Sequence, residues 1–188
     1  MKTDKKWEET VKEAAGIWYF IHCKSQNSQD VLALCRQTLS PEALQDAFVF
    51  TCDHMRRYEG SWHLERKLCF PQYVFLESGN RELLIRELKN SSYMRDILAD
   101  SSLLVPLNPE EEQFLRNLWG AGHHLGMSRG YIRDGQTFVT EGPLQGKEQL
   151  IRRIDRHKRM ARIGIAPEKT WDKDFPELQV GLEIMAKS

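Results

Sequence analysis

The sequence has no apolar run approaching the ~20 residues that a membrane-spanning helix needs. Its opening, MKTDKKWEETVKEAAG, is charged throughout and has neither the apolar core nor the small-residue cleavage site of a signal peptide. Net charge is missing too, since 27 Lys and Arg balance 27 Asp and Glu. No GxSxG, HExxH, GxxxxGKS or GxGxxG occurs, so the common hydrolase, metalloprotease, P-loop and dinucleotide chemistries lack their motifs. A non-enzymatic, cytoplasmic protein with no cofactor, no metal and no membrane partner, monomeric in solution, is the expectation.

Cysteine pairs at ligand spacing are also missing. Cys23, Cys35, Cys52 and Cys69 are widely separated, each in an apolar neighbourhood, which reads as reduced, buried thiols in a chain without an export signal. A zinc site from Cys23, Cys52 and Cys69 with His22, His54 or His63 would need neighbouring strands to assemble it, because no local ligand pair exists. His123 and His124 are adjacent, and two neighbouring histidines rarely serve one metal or one proton transfer, so they are expected to be solvated or packed locally.

What is present is organised charge. From Lys147 to Arg162, seven Lys or Arg stand against Glu148 and Asp155, a local excess of five positive charges in a neutral chain. Such separation points to a localised anionic partner. At 188 residues the chain has room for one large domain or two small ones.

The pattern along the chain is strand, helix, several strands, helix, helix, then short strands only. IWYFIHC (17–23) reads as a buried strand, and NSQDVLALCRQTL as a helix capped by Asn27. AFVFTC (47–52) is a second strand, DHMRRYEG a charged hairpin connection, SWHLERKL an alternating half-exposed strand, and FPQYVFLE a fourth strand. NRELLIRELKN is an amphipathic helix presenting Leu84, Ile85 and Leu88. NPEEEQFLRNLWG carries Asn108 at the N-cap, Pro109 at N1, acids in its first turn and Gly120 at its end. The glycine-rich GAGHHLGMSRG then suits a linker or long loop. The expected organisation is a tail over 1–16, an α+β domain over 17–120, a linker over 121–130 and a small all-β barrel over 131–188. The thin core of that barrel would rest on Phe138, Leu150, Ile151, Ile154, Ile163, Leu182 and Ile184.

Three stretches in this order, WYFIHCK, FPQYVFLE and VTEGPLQGKEQLIRRID, resemble the NusG family of transcription elongation factors, from about residue 17 to the end. Within it, GPLQGKEQLIRRIDRHKRMA is similar to specialised antitermination paralogues. One departure is that Gln26, Asn27 and Ser28 stand where the general factors carry a glycine and an acidic residue. The resemblance implies an N-terminal α/β sandwich with an antiparallel sheet that docks on the clamp helices of RNA polymerase, and an SH3-like KOW barrel that recruits a further partner. By position it implies polymerase contacts at Phe70, Pro71, Tyr73 and Phe75 and at His22, which replaces an aromatic residue. Phe75 reads equally as sheet core. Non-template DNA is a further partner that this reading leaves open.

The basic stretch has its own physical reading. Arg152, Arg153, Arg156, Arg159 and Arg162 are arginines, whose planar fork takes phosphate bidentately or pairs with a guanine edge; Lys147, His157 and Lys158 complete the candidate RNA-binding set. On a hairpin, DRHK would form the turn. A-form RNA hides its major groove, so specific reading would need a loop, bulge or distortion. This fits a hairpin in the nascent leader transcript, the partner implied for the antitermination paralogues. Two other readings stay open: an RNA-binding or ribosome-associated KOW protein with no polymerase partner, and a general elongation factor with a protein-binding barrel.

Overall fold

The structure is a computed structural model, and it describes residues 16–23, 27–92, 94–95, 104–164 and 178–188. The tail expected over 1–16 thus lies outside the described residues except for Gly16, as does Ile165 in the basic stretch. The fold is mixed α and β: three helices, a four-stranded sheet, a three-stranded sheet, and a five-stranded sheet curled into a half-barrel among the described residues.

The four-stranded sheet contains β1 (Ile17–His22), β2 (Asp46–Phe48), β5 (Tyr73–Ser78) and β6 (Val105–Pro106), in the order β2-β5-β1-β6. Alternation along β1 and β5 sorts its two faces. Tyr19, Ile21, Val74 and Leu76 cluster with Val31, Leu32 and Cys35 of α1 (Ser28–Thr38) and Leu84 and Leu88 of α2 (Arg81–Asn90). Trp18, Phe48 and Phe75 cluster with Leu115, Leu118 and Trp119 of α3 (Pro109–Trp119) on the other face. Asn27 and Asn80 cap the first two helices through their side chains, and α3 has a capping box between Asn108 and Glu111. The helix starts stand where the sequence puts them because each carries its own cap.

α3 is fixed to the sheet by Arg116. Its guanidinium lies 4.0 Å over the Trp18 ring and pairs with Glu112 at 2.8 Å and Glu77 at 3.2 Å. The Trp18 indole donates to Glu77 Oε2 at 3.0 Å, so a cation, an aromatic ring and two acids close one network.

Two expectations change here. AFVFTC is not one strand: β2 ends at Phe48, and β3 (Thr51–Tyr58) belongs to the three-stranded sheet. Phe50 lies between them, fully buried among Trp18, Phe75 and Trp119, so the break serves core packing at the crossing point. DHMRRYEG is mostly strand as well, since β3 runs to Tyr58 and pairs with β4 (Ser61–Leu68) over its whole length. Only Glu59 and Gly60 turn, both at positive φ, 50° and 78°, as a two-residue hairpin loop requires.

The glycine-rich 121–130 also carries structure. β7 (His124–Leu125) pairs in parallel with Thr51 and Cys52 of β3, and β8 begins at Ser128. His124 is held by Asp53 at 3.1 Å and Thr51 Oγ1 at 2.9 Å, side-chain anchors that hydrophobic periodicity does not register. His123 takes a positive φ of 50° and stacks on Phe48 at 3.6 Å.

The half-barrel is built from β8 (Ser128–Arg133), β9 (Gln136–Glu141), β10 (Ile151–Asp155), β11 (Met160–Ile163) and β12 (Leu178–Lys187), in the order β10-β11-β12-β8-β9. β12 runs parallel to β8 and the other pairs are antiparallel. Val139, Leu144, Ala161, Ile163, Leu178, Val180 and Leu182 fill its interior. Of the expected core, Ile163 and Leu182 are fully buried, while Leu150, Ile151, Ile154 and Ile184 pack at its margin. Phe138 is outside, 38% exposed, because β9 turns Val139 inward and Leu144 from the following turn supplies the interior volume.

The half-barrel and the N-terminal layers share one hydrophobic cluster. His54 Nε2 and Cys52 Sγ reach the Gln179 carbonyl of β12 at 3.0 and 3.6 Å. All four cysteines are buried free thiols. Cys52 and Cys69 share a hydrogen bond, which pushes Cys69 up and draws Cys52 down. Among the described residues no group of three His, Cys, Asp or Glu could hold a metal ion, and no helix is long and apolar enough to cross a membrane.

Candidate nucleic-acid interface

β10 and β11 form a hairpin with Ile151 opposite Ile163, Ile154 opposite Ala161 and Asp155 opposite Met160. Ile151, Ile154, Ala161 and Ile163 pack into the barrel cluster, so Arg153 and Arg162 between them face out. Arg153 and Arg162 stand directly opposite each other and both are exposed. A register shift between Ile151 and Arg153 sets Arg152 apart, exposed, with its guanidinium over Gly164. A side chain at 164 would meet that guanidinium at 2.9 Å, so the glycine makes room for it.

The loop is Arg156–Arg159, one residue later than DRHK, because Asp155 stays in β10 and pairs with Met160. Asp155 Oδ1 accepts from Lys158 N at 3.0 Å, three residues on, and so holds the loop from its first side. Arg156, His157 and Lys158 project from it, exposed. Arg159 closes the loop at a positive φ of 51°.

Arg159 does not share that exposure. Its Nη1 pairs with Glu183 at 2.7 Å, and its guanidinium lies 4.4 Å over the Trp62 ring of β4. Its cation is therefore spent on joining the half-barrel to the β3–β4 hairpin. Lys147 is half-buried and donates to the Pro143 carbonyl at 3.2 Å, so it stands beside the basic hairpin with its ammonium already engaged. Of the eight candidate residues the structure brings six together on one exposed hairpin: Arg152, Arg153, Arg156, His157, Lys158 and Arg162.

The other candidate set divides. Phe70 and Phe75 are buried, packed against Phe50 and, for Phe70, Trp119. Tyr73 is 8% exposed; His22 stacks on its ring at 4.8 Å and Phe20 meets it edge-on at 5.8 Å. Pro71 is exposed, in the turn just before β5. Phe20 also lines a groove of about 850 Å³ between β1, β6 and the start of α3, with Val105, Leu107 and Pro109 on its walls. Sequence reasoning missed Phe20 and Val105, although alternation along WYFIHC already places Phe20 on the face of Trp18 and His22.

The sequence matches no protein-family model, and no curated protein is similar enough to stand as a relative.

Proposed function

We propose that the chain is a transcription antitermination factor of NusG type, resembling the LoaP paralogues, whose curled sheet is a KOW barrel that binds an RNA hairpin of the nascent leader while the N-terminal domain rides on RNA polymerase. The observation that carries the reading is the exposed β10–β11 hairpin, which gathers six cationic or basic side chains on one edge of a chain without net charge. Phosphate neutralisation there would release counterions, and the protruding Arg156–Lys158 turn has the shape to enter a loop or an opened groove.

The polymerase half of the reading rests on the resemblance of FPQYVFLE and on the Phe20–Tyr73–His22 surface with its adjoining groove. An apolar strip rimmed by polar groups suits the tip of a helical hairpin, with aromatic side chains supplying most of the contact energy. The action is mechanical: an RNA-tethered factor that holds the clamp closed suppresses pausing and termination without bond chemistry.

A gel-shift titration against the leader RNA of the chain's own operon, at two salt concentrations, tests the first half. Arg153→Ala with Arg156→Ala should weaken binding and flatten its salt dependence; unchanged affinity removes RNA recognition from this hairpin. Co-purification with RNA polymerase tests the second half. Tyr73→Ala should reduce it, and no association in the unsubstituted protein leaves an RNA-binding protein without a polymerase partner.

A further inference from the structure

We infer that the outer face of the β8–β9 hairpin is a stacking platform for an unpaired RNA base, formed by Tyr131 and Phe138. Tyr131 and Phe138 are cross-strand partners, their rings stacked at 5.2 Å and 18°. Phe138 keeps 38% of its surface exposed, and Tyr131 is half-buried. The Arg133 guanidinium is 6.0 Å from the Tyr131 ring and is itself exposed, so the pair is flanked by a cation.

The inference rests on the RNA-binding reading above and adds what that surface lacks. A loop or bulge offers unstacked bases, and these bind by stacking on aromatic rings as well as through their phosphates. The basic hairpin over 151–163 contains no aromatic ring except His157. β9 and β10 are the two edges of the curled sheet, and Glu148, just before β10, accepts from Val139 N of β9 at 3.1 Å. The two edges are thereby drawn together, with the stacked rings beside one and the arginines along the other. A strand of RNA crossing that seam has phosphate contacts on β10 and a π-face on β9.

A cross-strand aromatic pair also stabilises a sheet on its own. The two roles separate in Phe138→Leu, which keeps apolar contact without a π-face, and Phe138→Trp, which keeps the π-face. The test is a titration of the full chain with a single-stranded RNA carrying 2-aminopurine and with a blunt duplex of the same sequence, monitored by 2-aminopurine quenching and by anisotropy.

Phe138→Leu should lose about tenfold in affinity for the single strand, the scale of one base–aromatic stack, and lose the quenching. Its duplex binding should stay unchanged, and Phe138→Trp should retain both signals. Single-strand binding and quenching equal to the unsubstituted protein in Phe138→Leu would overturn the platform while leaving the basic hairpin intact. Binding of neither RNA by the unsubstituted protein would overturn the RNA-binding reading and the platform with it.

Discussion

Arg156 and Arg159 belong to the same loop and have opposite surroundings. Arg156 is exposed, whereas Arg159 pairs with Glu183 and covers Trp62. Arg156→Ala should leave urea unfolding unchanged and lower the salt slope of RNA binding by about one. Arg159→Ala should cost about 1–2 kcal/mol of stability, one ion pair and one cation–π contact, with RNA affinity per folded molecule nearly preserved. The sequence makes the basic run obvious and cannot separate these two arginines, since a four-residue loop ending at positive φ is usually signalled by glycine or asparagine, not arginine. His123 offers a second test at this scale. Burial holds its imidazole below the ordinary value of 6.5, so the folded state prefers it neutral. Its contribution is complete above pH 6.5 and is lost as the pH falls towards the folded value, because the unfolded chain then binds the extra proton. Urea midpoints measured from pH 7 to 5 should fall more steeply in the unsubstituted protein than in His123→Asn, which tolerates the positive φ and cannot titrate. The difference should stay below about 1.4 kcal/mol per pH unit.

Elements with their own capping chemistry were legible, and those defined by distant partners were not. α3 has Asn108, Pro109, Glu111 and Gly120 in sequence order, and each takes the role its type implies. β7 is two residues long and exists because Thr51 and Cys52 offer it an edge 73 residues away, a relation no local pattern carries. Phe138 misled for a related reason: period-2 alternation identifies the strand but not which phase faces in, and Leu144, outside the strand, decides it. Within the half-barrel, the β8–β9 pair depends on Gly130, where an added Cβ would stand 2.1 Å from the Phe138 carbonyl. Gly130→Ala should therefore cost about 1–3 kcal/mol through forced strand separation. Because Phe138 belongs to the displaced strand, the stacked ring pair should loosen, visible as a reduced near-ultraviolet circular dichroism signal. An unchanged melting curve would mean that β9 shifts without resistance.

At the scale of the molecule, the half-barrel does not hang from the N-terminal layers on a free tether. Gly181 of β12 has no side chain where the Asp53 carbonyl of β3 lies 2.7 Å from the place a Cβ would take, and Met127 fills the same space. His54 meets the neighbouring Gln179 carbonyl, Arg159 reaches Trp62, and residues of both halves occupy one hydrophobic cluster. Contacts of this kind make unfolding of one half expose surface on the other, and small proteins so coupled unfold in a single transition. Urea unfolding followed by methyl resonances of Ile21 in the N-terminal layers should coincide with unfolding followed by methyl resonances of Ile163 in the half-barrel. Gly181→Ala should push the two apart and separate the transitions, with the half-barrel, whose core is thin, unfolding first. Coincident transitions in that variant would place the coupling elsewhere, in the Arg159 bridge, and Arg159→Ala would then be the substitution that divides them.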